Sequence, residues 1–193
     1  MIQQINQTDG LKKYITHEIE DAGLAVAVDS KLNLDEYIGI KVDDYYMGLH
    51  LRGETPKAVD FIVTVDCQCD AYCLYILELK NVKSPKGYTT KDIIEKFETA
   101  IDRFIKEDFK EIFLNDKYKY KYKEIKLYLV TSAYGKALGQ KNYQSYIELL
   151  RKINQKDTLT NDWTLSNKLF KFQKRILRIE REIPPNPVIK RIT

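Results

Sequence analysis

The chain has 193 residues, 44% of them hydrophobic and 31% charged, and carries a net charge of +4. That length suits one domain, and the composition supplies a core without being that of a membrane protein. No apolar run approaches the roughly 20 residues that a bilayer-spanning helix needs. The opening Met-Ile-Gln-Gln-Ile-Asn-Gln lacks the basic and apolar regions of an export signal, so a cytoplasmic protein is expected.

Residues 9–22 read as a helix: Asp9 can cap it, Leu11, Tyr14, Ile15, Ile19 and Ala22 share a face, and Gly23 stops it. Glu18 falls inside the apolar arc of that helix. A short strand is expected over 24–28. Residues 37–51 are aromatic and β-branched enough for a strand or ribbon, broken at Asp43-Asp44. Two strong strands follow, over 59–65 and 72–80, with 66–71 as the hairpin loop between them. Residues 81–88, holding Pro85 and Gly87, read as a loop. Thr89 or Thr90 then caps a long amphipathic helix over about 91–109, whose apolar face is Ile93, Ile94, Phe97, Ala100, Ile101, Phe104 and Ile105. A further core strand spans 125–131, Tyr143 to Ile153 marks another helix, and 168–183 is read as helix. Pro184-Pro185 and Pro187 mark the passage from a folded body to a tail. An antiparallel hairpin followed by a crossover helix and another strand implies an α/β fold with a mixed central sheet flanked by helices.

The hairpin gathers the residues with chemical potential. Glu78 and Lys80 are two apart on one strand and therefore share a face. With the loop centred near Cys69, Asp66 pairs with Tyr72 and Asp60 falls opposite Glu78, so Asp60, Glu78 and Lys80 form one cluster. Glu78 and Lys80 follow the apolar run Leu74-Tyr75-Ile76-Leu77, and Asp60 opens Phe61-Ile62-Val63. Charges beside a half-buried sheet are costly unless paired or ligated. Two readings stand: an exposed surface ion pair, or a Mg²⁺ site in which hard carboxylate oxygens bind the ion and Lys80 deprotonates the attacking water or stabilises phosphate charge.

The run Val59-Asp60, an 18-residue step and then Glu78-Leu79-Lys80 resembles the PD-(D/E)XK nuclease superfamily, whose pattern is an acid on one strand, a hairpin, and acid-x-Lys on the next. The resemblance covers about residues 9–131. It implies a restriction-endonuclease-like core within a single nuclease domain over 1–193, with the core at about 9–155 and a basic C-terminal segment at 156–193. It implies Mg²⁺-dependent hydrolysis of phosphodiester bonds, leaving 5′-phosphate and 3′-hydroxyl ends. The metal ligands would be Asp60, Glu78 and the Leu79 carbonyl, with Glu18 as an added acid from the first helix. The proline that often precedes the first acid is absent here; Pro56 lies four residues upstream. A type II restriction endonuclease acting on double-stranded DNA as a homodimer, without a nucleotide cofactor, is the best fit. A branched-DNA, repair or transposition nuclease would show the same triad. A nucleic-acid-binding module without catalysis is the third reading.

From Asn167 to Thr193 eight Lys/Arg stand against Glu180 and Glu182, so basic charge collects at one end of the chain. It is either a solvated face or a surface for a polyanion. On the expected helix Lys168, Lys171, Lys174, Arg175 and Arg178 form a stripe that can follow a phosphate backbone. Lys83 and Lys86, just before a helix cap, are candidates for a substrate phosphate. The Lys-Tyr alternation over 117–123 has an aromatic side that either packs or stacks on bases, with packing preferred. Cys67, Cys69 and Cys73, odd in number, are expected as reduced thiols. Their spacing is better explained by strand packing or a turn than by zinc.

Overall fold

The computed structural model describes residues 1–81, 89–114, 120–132, 148, 164–165, 167–184 and 186–192. The chain opens with α1 (Ile2–Gln7), a short 3₁₀ turn (Lys12–Tyr14), and four two-residue strands: β1 (Ile15–Thr16), β2 (Glu20–Asp21), β3 (Leu24–Ala25) and β4 (Ala27–Val28). β5 (Tyr37–Lys41) runs directly into α2 (Val42–Gly48). Next come β6 (Phe61–Asp66) and β7 (Ala71–Lys80). Helix α3 (Thr90–Glu98) continues in π-helical geometry through Thr99–Asp108 before α4 (Lys110–Phe113). β8 (Lys121–Thr131), β9 (Phe170–Phe172), β10 (Arg175–Leu177), β11 (Ile179–Glu182) and β12 (Val188–Ile189) complete the described elements.

Six strands form a mixed sheet in the order β1-β5-β6-β7-β8-β11. β1, β5, β6 and β7 are successively antiparallel, whereas β8 is parallel to β7 and β11 is parallel to β8. The α/β class with a mixed sheet flanked by helices follows. Parallel pairing of β7 and β8 requires a long crossover, and α3 with its π-helical continuation lies within it. Asp66 pairs with Tyr72 and Phe61 with Leu77, so the hairpin register is the one expected from the sequence.

Alternation sorts the strand side chains into two cores. Ile62, Leu74, Ile76, Leu127 and Leu129 join Ile93, Phe97, Ile101 and Phe104 on one face, and α1, α2 and α4 contribute to the same cluster. Phe61, Val63, Tyr75, Leu77 and Val130 face the other way, against Leu24, Val26 and Ile189. Ala71 through Leu79 are all buried, as suits a central strand covered on both sides. Thr89 caps α3, its hydroxyl accepting from Asp92 N–H at 3.1 Å and donating to Asp92 Oδ2 at 2.6 Å. No helix among the described residues is long and apolar enough to cross a membrane.

Four expectations are corrected. The helix over 9–22 does not form. Ile15 and Thr16 pair with Ile40 and Gly39 of the sheet, and β-branched residues at a sheet edge follow that pairing rather than a helical period. Ile15 packs toward one core and Ile19 toward the other, a division that one helical face cannot produce. The segment 37–51 is half strand, half helix: Asp43 and Asp44 sit in the first turn of α2, where carboxylates suit the positive end of the helix dipole. Residues 168–183 are not a helix. β9 and β10 form a hairpin turned by Gln173 and Lys174, both at positive φ, and β11 joins the main sheet. Nor is the proline-rich end simply a tail, since β12 pairs in parallel with β4. Of the helix expected over Tyr143–Ile153, only Glu148 lies among the described residues.

Candidate active site

The site sits at the end of the β6–β7 hairpin that is remote from its loop. Asp60 lies one step before β6, where the register places it opposite Glu78, and its backbone carbonyl accepts from Val42 N–H at 3.1 Å. That bond ties the start of α2 to the site. Lys57, just upstream, pairs with Asp92 at 2.7 Å and Glu95 at 3.0 Å, joining the same approach segment to α3.

Asp60 is 4% exposed and Glu78 is 0% exposed. Asp60 Oδ2 accepts from the Leu79 backbone N–H at 2.6 Å, which turns this carboxylate toward β7. Lys80 Nζ lies 2.8 Å from Glu78 Oε1. A second lysine, Lys96 of α3, reaches the same oxygen at 2.7 Å and stands 4.0 Å from Asp60 Oδ1. Both ammonium groups therefore converge on one oxygen of Glu78, while its other oxygen, Oε2, is buried without a hydrogen-bond partner. The Thr131 hydroxyl, on the β8 residue that pairs with Lys80, is likewise buried and without a partner.

Burial pushes the Asp60 carboxyl up to about 8, with the Glu78 charge adding to the shift and the Leu79 N–H opposing it. Asp43 is raised to about 6, first by burial and then, against the opposing Asp44 N–H, by the Asp44 charge; Lys96 opposes the rise and Asp21 adds to it. Asp43 also acts on Asp60 electrostatically. For Lys80 burial favours the neutral amine, but Glu78 and Asp60 outweigh it and hold the ammonium above its ordinary value. The arrangement is a buried cluster of two carboxyl groups and two lysines, both ammonium groups drawn onto Glu78. Hard oxygen donors on neighbouring strands, one of them buried and unpartnered, fit a divalent cation such as Mg²⁺. Asp60 and Glu78 would hold it.

Asp60, Glu78 and Lys80 are thus brought together on one face of the sheet. Glu18 is not among them. With no helix over 9–22, it lies exposed between β1 and β2, its backbone N–H and carbonyl tied to the Thr16 hydroxyl. Lys83 and Lys86 lie outside the described residues. Lys168 pairs with Glu98 at 2.5 Å, and Arg175 donates to the carbonyls of Lys123, at 3.1 Å, and Tyr122. Lys171, Lys174 and Arg178 are exposed on or beside the β9–β10 hairpin rather than aligned along a helix. Tyr122 packs inward between exposed Lys121 and Lys123, so this part of the Lys-Tyr alternation serves the core. Cys67 and Cys73 are buried free thiols with their sulfurs 2.9 Å apart, and Cys69 is exposed.

Sequence reasoning missed Lys96 and Asp43. Lys96 borders the apolar face of α3 one residue before buried Phe97, so a lysine abutting a core arc was the available signal. Asp43 was visible only as a strand breaker. No family model, curated protein or solved structure matches the chain.

Proposed function

We propose that this chain is a Mg²⁺-dependent DNA endonuclease with a restriction-endonuclease-like core, and within that class a type II enzyme cutting both strands of a specific site as a homodimer. The observation that supports it is the buried Glu78 carboxylate, with one oxygen unpartnered, beside Asp60 and the Lys80 ammonium at a strand end. Structural ion pairs in a protein interior persist when their remaining lone pairs are satisfied; an orphaned carboxylate oxygen is costly, and a ligand-binding role explains its retention.

Bound Mg²⁺ would polarise the phosphodiester and lower the pKa of a water ligand. Asp60 and Glu78 would hold the ion, with the Leu79 carbonyl as the further ligand that the family resemblance implies. Lys80, kept cationic by its two acidic neighbours, is suited to neutralise charge growing on the phosphate, more than to accept a proton from water. The Leu79 N–H fixes the Asp60 carboxylate, so one ligand is oriented before any ion arrives. Lys171, Lys174 and Arg178 offer exposed charge for the DNA backbone.

Supercoiled plasmid incubated with the full chain and Mg²⁺ tests the proposal. Conversion to nicked or linear DNA with ends that a ligase rejoins directly is expected, and none in EDTA. Intact plasmid across Mg²⁺ and Mn²⁺ concentrations, with DNA binding retained, would leave a non-catalytic DNA-binding module instead.

A further inference from the structure

A buried pair of carboxylates with no cation between them would repel strongly, and here the chain supplies its own cation. Lys96 reaches in from α3, a different element from the strands that carry the acids, and places one ammonium 2.7 Å from Glu78 and 4.0 Å from Asp60. Its side chain is only 16% exposed, so the contact is shielded from water. Glu78 does not need Lys96 for a partner, because Lys80 already reaches the same oxygen at 2.8 Å. Lys96 leaves Glu78 Oε2 unsatisfied, and its contact with Asp60 is longer than a hydrogen bond. An ammonium that doubles an existing contact and completes neither acid is a poor structural fit. It is a good fit to a temporary occupant of a cation seat.

We propose that Lys96 is a built-in competitor for the divalent ion: its ammonium occupies the metal seat between Asp60 and Glu78 and must leave when the ion enters. This rests on the metal-site reading given above. The consequences are physical. In the metal-free site the Lys96 ammonium rests on Glu78 and faces Asp60. Metal affinity is lowered by the cost of displacing the ammonium, so half-loading of the site needs a higher concentration of free ion. Lys96 then governs occupancy of the seat, a role distinct from that of Lys80.

The test is Mn²⁺ binding by electron paramagnetic resonance on the full chain, wild type and Lys96→Met, together with acetylation of Lys96 followed by mass spectrometry in wild type with and without Mn²⁺. Lys96→Met is expected to bind Mn²⁺ about tenfold more tightly or better, a difference of about 1.4 kcal/mol. In wild type the acetylation rate of Lys96 is expected to rise severalfold on adding Mn²⁺, a change that a merely structural lysine would not show. The labelling experiment decides the matter if Lys96→Met does not fold. Equal affinity in the two proteins, or Lys96 labelling that is unchanged or slowed by Mn²⁺, overturns the role of Lys96 and leaves the metal site standing. Absence of Mn²⁺ binding in both proteins overturns the metal site and this inference together.

Discussion

The Leu79 backbone N–H donates to Asp60 Oδ2 at 2.6 Å, so the acid that precedes β6 is aimed by the strand that carries Glu78. The bond keeps a carboxyl group inside the protein where burial and the Glu78 charge both oppose its ionisation.

That opposition gives a stability signature. Asp60 ionises near 3.8 in the unfolded chain and at about 8 in the folded one. Between those values the folded state holds a proton that the unfolded state has released, so metal-free stability falls as pH rises from about 4 to about 8. Asp43, raised to about 6, contributes with the same sign over the lower part of that window. Asp60→Asn can still accept from Leu79 without carrying charge. Thermal melts in EDTA should show it more stable than wild type, by an amount that grows from pH 4 to 8 and levels off above. An advantage that is constant with pH, or a loss of stability, would contradict the buried-acid reading.

Lys80 separates chemistry from folding. Lys80→Met keeps the aliphatic stem and removes the charge. Cleavage should fall by about 10²–10³-fold, the scale of losing one stabilising donor at a developing charge, while DNA affinity changes little. Single-turnover rates on a fixed duplex measure this directly, and an unchanged rate would remove Lys80 from the reaction.

The exposed hairpin cations are expected to act through phosphates rather than bases. Lys171→Gln and Lys174→Gln should each weaken DNA binding similarly across sequences. Each should also lower the slope of log affinity against log salt by about 1. Titrations at several salt concentrations read that slope. A sequence-selective loss would assign these residues to base readout.

The α3 cap is a purely structural check. Thr89→Ala removes the acceptor for Asp92 N–H and should cost about 1 kcal/mol in denaturant unfolding, because the end of the helix that positions Lys96 loses its partner. No loss would mean that water replaces the hydroxyl at no cost.

Much of the site was legible because strand geometry is periodic. An acid, a loop centred near Cys69 and a second acid at matching parity fix which side chains face each other, and Asp66 indeed pairs with Tyr72. The amphipathic helix after the hairpin was equally legible from Ile93, Phe97, Ile101 and Phe104. What failed depended on tertiary context. Leu11, Tyr14, Ile15 and Ile19 satisfy a helical period, yet the edge of β5 captures Ile15 and Thr16. Gly39 leaves room there: a Cβ at that position would stand 2.7 Å from Ile19 Cδ1. The β9–β10 hairpin turns on Gln173-Lys174 rather than an Asn-Gly or Asp-Gly pair, so its turn carried no sequence signal. Lys96 could not be assigned because contact between a helix and a strand end is not written in either period.

The most direct measurement is plasmid cleavage over a Mg²⁺ titration by wild type and Glu78→Gln, with DNA binding followed in parallel. Wild type should convert supercoiled DNA with saturable dependence on Mg²⁺. Glu78→Gln should bind DNA while leaving it intact at every Mg²⁺ concentration. Cleavage by Glu78→Gln at the wild-type rate, or by wild type in excess EDTA, would contradict a metal-dependent active site at this carboxylate.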